Sequence, residues 1–380
     1  MKPDYSNSIV NLSSSIARSF GIKGKYPTLN CNSLDGLEKT KNIVLIIVDG
    51  LGFNYLKNKA SDTFLREHLF DSITSVFLPS TGAAVTSIMS GVAPQQHGVT
   101  GWFVYLREYG LVSRILPYSN TIDYNLIGSD IANVVSVHSI YESLGKEYTL
   151  IMPDQIVNSA FTRNLAGSAN RIKYTEIGEL YAQVEQTIRQ SLTRKYIYGY
   201  WPGFDTSSHL LGSESEDSLQ KLIDFDNHLR IFAESIEGTD TKVIITGDHG
   251  FDDVIPSSVI YTRDHPLLEQ CLTLPLCGDT RSVYAYVRPQ KLTQFERYID
   301  NEFGDFCELH LSTDLIDAGW FGTHDPHPHL SDRVGDYTMI FKEGHSIVNC
   351  FPGFDPPVLT GHHGGITPDE MLVPLCVIDC

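Results

Sequence analysis

Apolar residues follow two rhythms along this chain. Asn42-Ile-Val-Leu-Ile-Ile-Val48 and Thr241-Lys-Val-Ile-Ile-Thr246 are nearly unbroken apolar runs, and Lys195-Tyr-Ile-Tyr-Gly-Tyr-Trp201 is a third, rich in rings. Short continuous runs bounded by turn residues predict strands buried on both faces of a parallel sheet. Tyr148 to Met152 and Met371 to Ile378 add two more. Between them the period lengthens: Phe53 to Lys59, Ile131 to Leu144 closed by Gly145, Glu176 to Thr193 and Glu214 to Ser235 read as helices. Strands alternating with helices in this way predict an α/β fold with a mostly parallel sheet covered on both sides.

Ile73 to Leu78 is β-branched and apolar, Pro79 stops it, and small helix-compatible residues run from Thr81 to Gly91. Thr81 therefore falls at a helix start, where unpaired backbone N–H groups and the helix dipole favour an anion. Ser80 or Thr81 acting only as a helix cap fits the local pattern equally. From about Pro256 to Ile347 the pattern changes. Ser282 to Val287, Cys307 to Leu311 and Tyr337 to Phe341 predict short strands, and Lys291 to Phe303 a helix. The expected organisation is a polar arm over 1–41 with a short helix at Ser13 to Phe20, a core over 42–255 and 348–380, and a smaller inserted α+β lobe over 256–347.

Composition narrows the function classes. The chain has 380 residues, 42% hydrophobic and 19% charged, which suits a large packed core. Its net charge of -18 excludes a nucleic-acid-coating role, since no basic stripe exists to neutralise a phosphate backbone. An acidic protein can still bind phosphate where metal ions supply the positive charge. The N-terminus has no apolar signal core and no run approaches a membrane span, so a cytoplasmic location is the expectation, with signal-independent export or a trimmed signal as alternatives. Cys31, Cys271, Cys277, Cys307, Cys350, Cys376 and Cys380 form no C-x-x-C pair, which indicates neither a complete disulfide framework nor a structural zinc knuckle.

The candidate chemistry lies where the apolar runs end. Asp49 follows the first, Asp205 and His209 the third, and Asp248 with His249 the second. Near the C-terminus His362 and His363 precede paired glycines. Carboxylate and imidazole are ligands for zinc or manganese, and with Thr81 the set divides into two metal centres. The loop His324-Asp-Pro-His-Pro-His329 reads instead as an exposed loop without a metal. Trp102, Phe103 and Tyr105 read as core packing, with Trp102 also a candidate pocket wall.

Val-Asp-Gly at Asp49, the Thr81 to Gly91 stretch followed by Pro94 to Gly98 with His97, Asp205 to His209, Gly-Asp-His-Gly at Asp248 and His-Gly at His363 resemble, in this order, the alkaline phosphatase superfamily. Within it they resemble the type I phosphodiesterase/nucleotide pyrophosphatase family, over Asn42 to about Pro374. The resemblance implies an alkaline-phosphatase-like three-layer sandwich. It implies one divalent ion on Asp205, His209 and His363, and a second on Asp49, Asp248, His249 and the Thr81 oxygen, with zinc first and manganese as the alternative. His363 is preferred to His362 because the family ligand precedes glycine. The implied activity is cleavage of phosphodiester or nucleotide pyrophosphate bonds in a small-molecule substrate through a covalent phosphothreonine at Thr81. A phosphomonoesterase or phosphomutase of the same superfamily is the alternative, and a catalytically dead binding module a third reading. Gly82, Ala83 and Ala84 follow Thr81 where the nucleotide enzymes carry an aromatic ring and then an asparagine. The floor for a base is therefore missing, and Gly82, Trp102 and His362 remain candidates for contacting substrate.

Overall fold

A computed structural model of the protein describes all residues except 123, 191 and 351–355. The last group falls within the predicted returning segment 348–380, and that part of the expectation lies outside the described residues. The main sheet has seven strands, in spatial order Leu69–Thr74, Leu372–Asp379, Thr241–Thr246, Asn42–Val48, Lys195–Trp201, Tyr148–Pro153 and Asn170–Tyr174. The last five pair in parallel, and Leu372–Asp379 runs antiparallel to both its neighbours. This is the mostly parallel α/β sheet expected from the alternation of strands and helices. Every residue of the central strand Asn42–Val48 is buried, because helices cover both faces.

Ile43, Leu45 and Ile47 point into one apolar cluster, and Val44, Ile46 and Val48 into the other. The first cluster includes Ile9, Leu12 and Ile16 of the helix Ile9–Ser19, all fully buried, so the N-terminal residues form part of the core. Ser13 of that helix donates to the Ile88 carbonyl at 2.5 Å, fastening it to the helix Thr81–Ser90.

A second seven-stranded sheet follows the order Cys307–Leu311, Tyr337–Phe341, Ser282–Ala285, Cys277–Gly278, Phe103–Leu106, Leu111–Arg114 and Ser119–Asn120. The Gly278 to Phe103 pairing joins the strands of the 256–347 segment to three strands from 103–120. The sheet is thus assembled from two stretches distant in sequence.

Two local expectations fail. The strand predicted over Ile73 to Leu78 lies at Leu69–Thr74, and the chain from Ser75 to Ser80 is irregular. Pairing with Leu372–Asp379 ends at Thr74, so apolarity alone does not continue the ladder. The helix predicted over Ile131 to Leu144 reduces to 3₁₀ turns at Ile131–Asn133 and Glu142–Glu147. Its β-branched run lowers helix propensity, and burial of Ile131, Val134 and Val135 satisfies the apolar spacing without a helix.

Candidate active site

Strand register brings the polar residues together. Val48 pairs with Trp201 and Ile47 with Thr246, so Asp49, the Pro202 turn and Gly247-Asp248 all emerge from the carboxyl edge of the sheet. Open α/β sheets bind ligands at such an edge. Asp205 and His209 stand four residues apart on the helix Gly203–Leu211, and hence on one face of it. The short Gly361–His362 strand pairs antiparallel with Asp252–Asp253, which returns His363 to the Asp248 loop. Gly250 permits this convergence, because a Cβ there would overlap the Asp369 carbonyl oxygen and reach 2.9 Å from Gly52 Cα.

Thr81 opens the helix Thr81–Ser90 and is buried. Its Oγ1 lies 3.4 Å from Asp49 Oδ1 and 3.2 Å from His249 Nε2. Asp49, Asp248 and His249 offer ligand atoms within 4.8 Å of one another, and so do Asp205, His249 and His363. His249 is shared between the two groups, and its ring stacks on that of His363 with centroids 3.9 Å apart. His209 is outside the second close triad, yet its Nε2 sits 3.4 Å from Asp205 Oδ1. Its Nδ1 is held by the Gly361 carbonyl at 2.9 Å, which leaves Nε2 as the nitrogen able to coordinate. His249 is oriented likewise, with Nδ1 on the Gly250 carbonyl at 3.1 Å.

These residues fit divalent ions. Asp248 Oδ1 accepts from the Gly50 and His249 backbone N–H groups, each at 3.0 Å. Its Oδ2, with Asp205 Oδ1 and His363 Nδ1, is buried without a hydrogen-bond partner. Burial and neighbouring carboxylates push the Asp49 and Asp205 carboxyls well above their ordinary range, and burial takes Asp248 up to about 6. Burial also lowers all three imidazoles, His209 to about 4, so they are neutral and able to coordinate. Clustered carboxylates with unpaired buried oxygens beside neutral imidazoles form a donor set that is costly without a cation and suited to one.

The remaining candidates separate clearly. Trp102 lines the cavity that opens on Thr81. Gly82 faces away from it, packed against the Gly101 carbonyl and Ile115. His362 is engaged by Thr280 Oγ1 at 2.9 Å and the Leu359 carbonyl at 3.3 Å. His97 is buried between Ser87 Oγ and the Val99 N–H. In the histidine-rich loop, His329 pairs with Asp332 at 3.0 Å.

Sequence reasoning missed three groups. The Tyr200 hydroxyl donates to Asp49 Oδ2, holding that carboxylate against Thr81. Its place in the alternating Tyr196, Tyr198, Tyr200 run was the only available clue. Asp279 arrives from the second sheet, accepts from Ser80 Oγ at 2.6 Å and lies 3.5 Å from His363 Nδ1. Arg281 is fully buried and bridges Asp252 and Glu370.

The sequence pattern of the type I phosphodiesterase/nucleotide pyrophosphatase family matches residues 43–365. The chain belongs to this family. Solved structures share the fold at low identity. A murine ectonucleotide pyrophosphatase/phosphodiesterase 5, an inactive variant in complex with AMP, aligns at TM-score 0.66 and 15% identity over 88% of this chain and 87% of that one. The human counterpart gives 0.66 and 14% over 88% and 87%. Phosphonoacetate hydrolase from Sinorhizobium meliloti, in complex with phosphonoformate, gives 0.64 and 14% over 89% and 90%. No curated protein matches the sequence. Membership makes this family member a hydrolase acting on phosphoric ester bonds, built on an alkaline-phosphatase-like fold. Among its described residues no helix is long and apolar enough to cross a membrane.

Proposed function

We propose that the protein is a metal-dependent phosphodiesterase that uses Thr81 as a covalent nucleophile. The observation that carries this reading is the placement of Thr81 Oγ1 at a helix start, 3.4 Å from Asp49 and 3.2 Å from His249. Asp49, Asp248 and His249 with Thr81 would hold one divalent ion, and Asp205, His209 and His363 the other, zinc being the first choice and manganese the second. Such a pair supplies positive charge that eases loss of the hydroxyl proton and neutralises phosphoryl oxygens.

The chain's own residues do the rest. Thr81 Oγ1 attacks phosphorus, the bond to the leaving oxygen breaks, and the leaving alcohol takes up the proton. Water then hydrolyses the phosphothreonine. Backbone N–H groups at the start of the Thr81–Ser90 helix favour the phosphoryl oxygens. Asp49 is held in place by Tyr200, and Asp248 by two backbone N–H groups, so neither has to reorganise during attack.

A dianionic monoester would call for a basic clamp. Among the described residues Arg107 is paired with Asp332, Arg114 stacks over Tyr124 and Arg263 stacks over Tyr261, and none of the three lines the cavity at Thr81; Arg163, which does line it, donates to the Asn158 carbonyl at 2.6 Å. This favours the diester. The test compares bis-4-nitrophenyl phosphate with 4-nitrophenyl phosphate on zinc- and manganese-loaded protein. The diester is the expected better substrate, Thr81→Ala is expected to lose about a thousandfold or more in kcat, and a 4-nitrophenyl phosphoryl group trapped on Thr81 is expected in samples of the diester reaction quenched with acid. A monoester preference, or full turnover by Thr81→Ala, overturns the proposal.

A further inference from the structure

Each seven-stranded sheet ends in two edge strands, whose outward backbone N–H and C=O groups have no neighbouring strand. Three of these edges are closed to a further strand or unsuited to one. Leu69–Thr74 is capped by the N-terminal segment, where the Asn7 carbonyl accepts from the Thr74 N–H at 2.9 Å. Ser119–Asn120 is only two residues long. Asn170–Tyr174, paired antiparallel with a second copy of itself about Ile172, would set Arg171 against Lys173, cation against cation.

Cys307–Leu311 differs. It pairs antiparallel with Tyr337–Phe341, Glu308 opposite Ile340 and His310 opposite Thr338. The Lys342 N–H donates to the Phe306 carbonyl at 2.9 Å and the Ser312 N–H to the Asp336 carbonyl at 3.0 Å, so the even-numbered residues are the ones bonded inward. The N–H and C=O groups of Cys307, Leu309 and Leu311 therefore point out from the edge, where no other described strand meets them. Side chains alternate too. Glu308, exposed, and His310, half-buried, share one face; Leu309 and Leu311 share the other, and Leu311 is 47% exposed.

We propose that this edge joins two copies of the chain, with Cys307–Leu311 pairing antiparallel with itself about a two-fold axis at Leu309. In that register Leu309 faces the second copy's Leu309, and Cys307 faces its Leu311. These are the residues whose backbone groups point outward, so the ladder closes. Glu308 then lies opposite the second copy's His310, and His310 opposite its Glu308, at the non-hydrogen-bonded positions where facing Cα atoms are about 4.5 Å apart. A carboxylate meets an imidazole N–H twice over by symmetry, as a self-complementary interface requires. A slip of one residue opposes outward backbone groups to inward ones. A slip of two sets Glu308 against Glu308 or His310 against His310. The pairing also covers the exposed Leu311 and merges the two edge strands into one continuous sheet.

The experiment is sedimentation equilibrium on the full chain from about 1 to 100 µM, in about 0.15 M salt to screen the repulsion between two chains of net charge -18. The weight-average mass is expected to climb from one chain toward two across that range. His310→Glu sets carboxylate against carboxylate and is expected to raise the dissociation constant at least about tenfold. Combining it with Glu308→Lys is expected to restore assembly, because opposite charges face each other again. Leu311→Lys, at a position already open to solvent, is expected to dissociate the pair while leaving Glu308 and His310 in place. Far-UV circular dichroism matching the native chain shows that each variant has lost pairing and not its fold. A native mass that stays at one chain, assembly of His310→Glu or Leu311→Lys at native strength, or a double variant that does not recover overturns the proposal.

Discussion

Replacing Arg281 with Met tests the contact that ties the second sheet to the loop carrying His363. The guanidinium is fully buried, with Nη2 2.7 Å from Asp252 Oδ2 and 3.0 Å from Glu370 Oε2, and Nε 3.1 Å from Glu370 Oε1. Glu370 in turn accepts from the Gly365 N–H at 2.7 Å, two residues beyond His363. Methionine fills similar space but leaves Glu370 with no cation and Asp252 short of one. Leaving a buried charge unpaired costs about 3–5 kcal/mol, a large share of the roughly 5–15 kcal/mol that holds a domain folded. Removing the opposed charge as well, in R281M/E370Q, is expected to recover at least half of that loss, because a buried pair contributes little net stability. The pH dependence follows from Glu370. Burial pushes its carboxyl up, but Arg281 and the bonds from Thr367 and Gly365 outweigh burial and hold it below the ordinary value. In the native protein that contribution is present above the unfolded pKa of about 4.3 and is lost as pH falls through the lower folded value. In R281M only the bonds from Thr367 and Gly365 still oppose burial, so the deficit should be largest near neutrality and narrow toward acid as Glu370 takes up a proton. Urea unfolding followed by tryptophan fluorescence at several pH values measures this. A deficit below about 1 kcal/mol, or one independent of pH, refutes the reasoning.

Zinc or manganese at a hundredfold excess over its dissociation constant should stabilise the fold by about 2.7 kcal/mol, read as a rise of the thermal midpoint that chelator reverses; an unmoved midpoint counts against the metal centres. Asp279→Asn should weaken zinc binding roughly 10–100-fold in a chelator competition, since the Asp279 carboxylate lies 3.5 Å from His363 Nδ1, and unchanged affinity would confine Asp279 to its bond with Ser80. Gly250→Ala should cost about 1–3 kcal/mol or more, because the added methyl overlaps the Asp369 carbonyl; a variant with native unfolding behaviour would show that this crossing is loose.

Much of the main sheet was legible because its strands are buried on both faces, and such strands must be apolar whatever they pack against. Lys195–Trp201 and Thr241–Thr246 appear at their predicted bounds for that reason. Asp49, Asp205 and Asp248 were legible as a group because each follows a run that had to be a central strand. Ile131 to Leu144 misled because its apolar spacing serves burial in an irregular segment, and spacing alone does not distinguish the two.

The amino-acid order by itself determined which residue types stand at the ends of the buried strands, and therefore that Asp49, Asp205, His209, Asp248 and His249 are delivered to one edge of a sheet, whereas Thr81 reaches it through the irregular stretch from Ser75 to Ser80. Tertiary structure alone decided which of them meet. His249 is shared between both close triads, His363 faces the cluster while His362 turns to Thr280, and Asp279 and Arg281 enter from a sheet assembled from 103–120 and the 277–341 region. Local sequence sets backbone preference and burial, whereas these contacts join residues scores of positions apart. They exist only once register and packing have brought their backbones within a few ångströms.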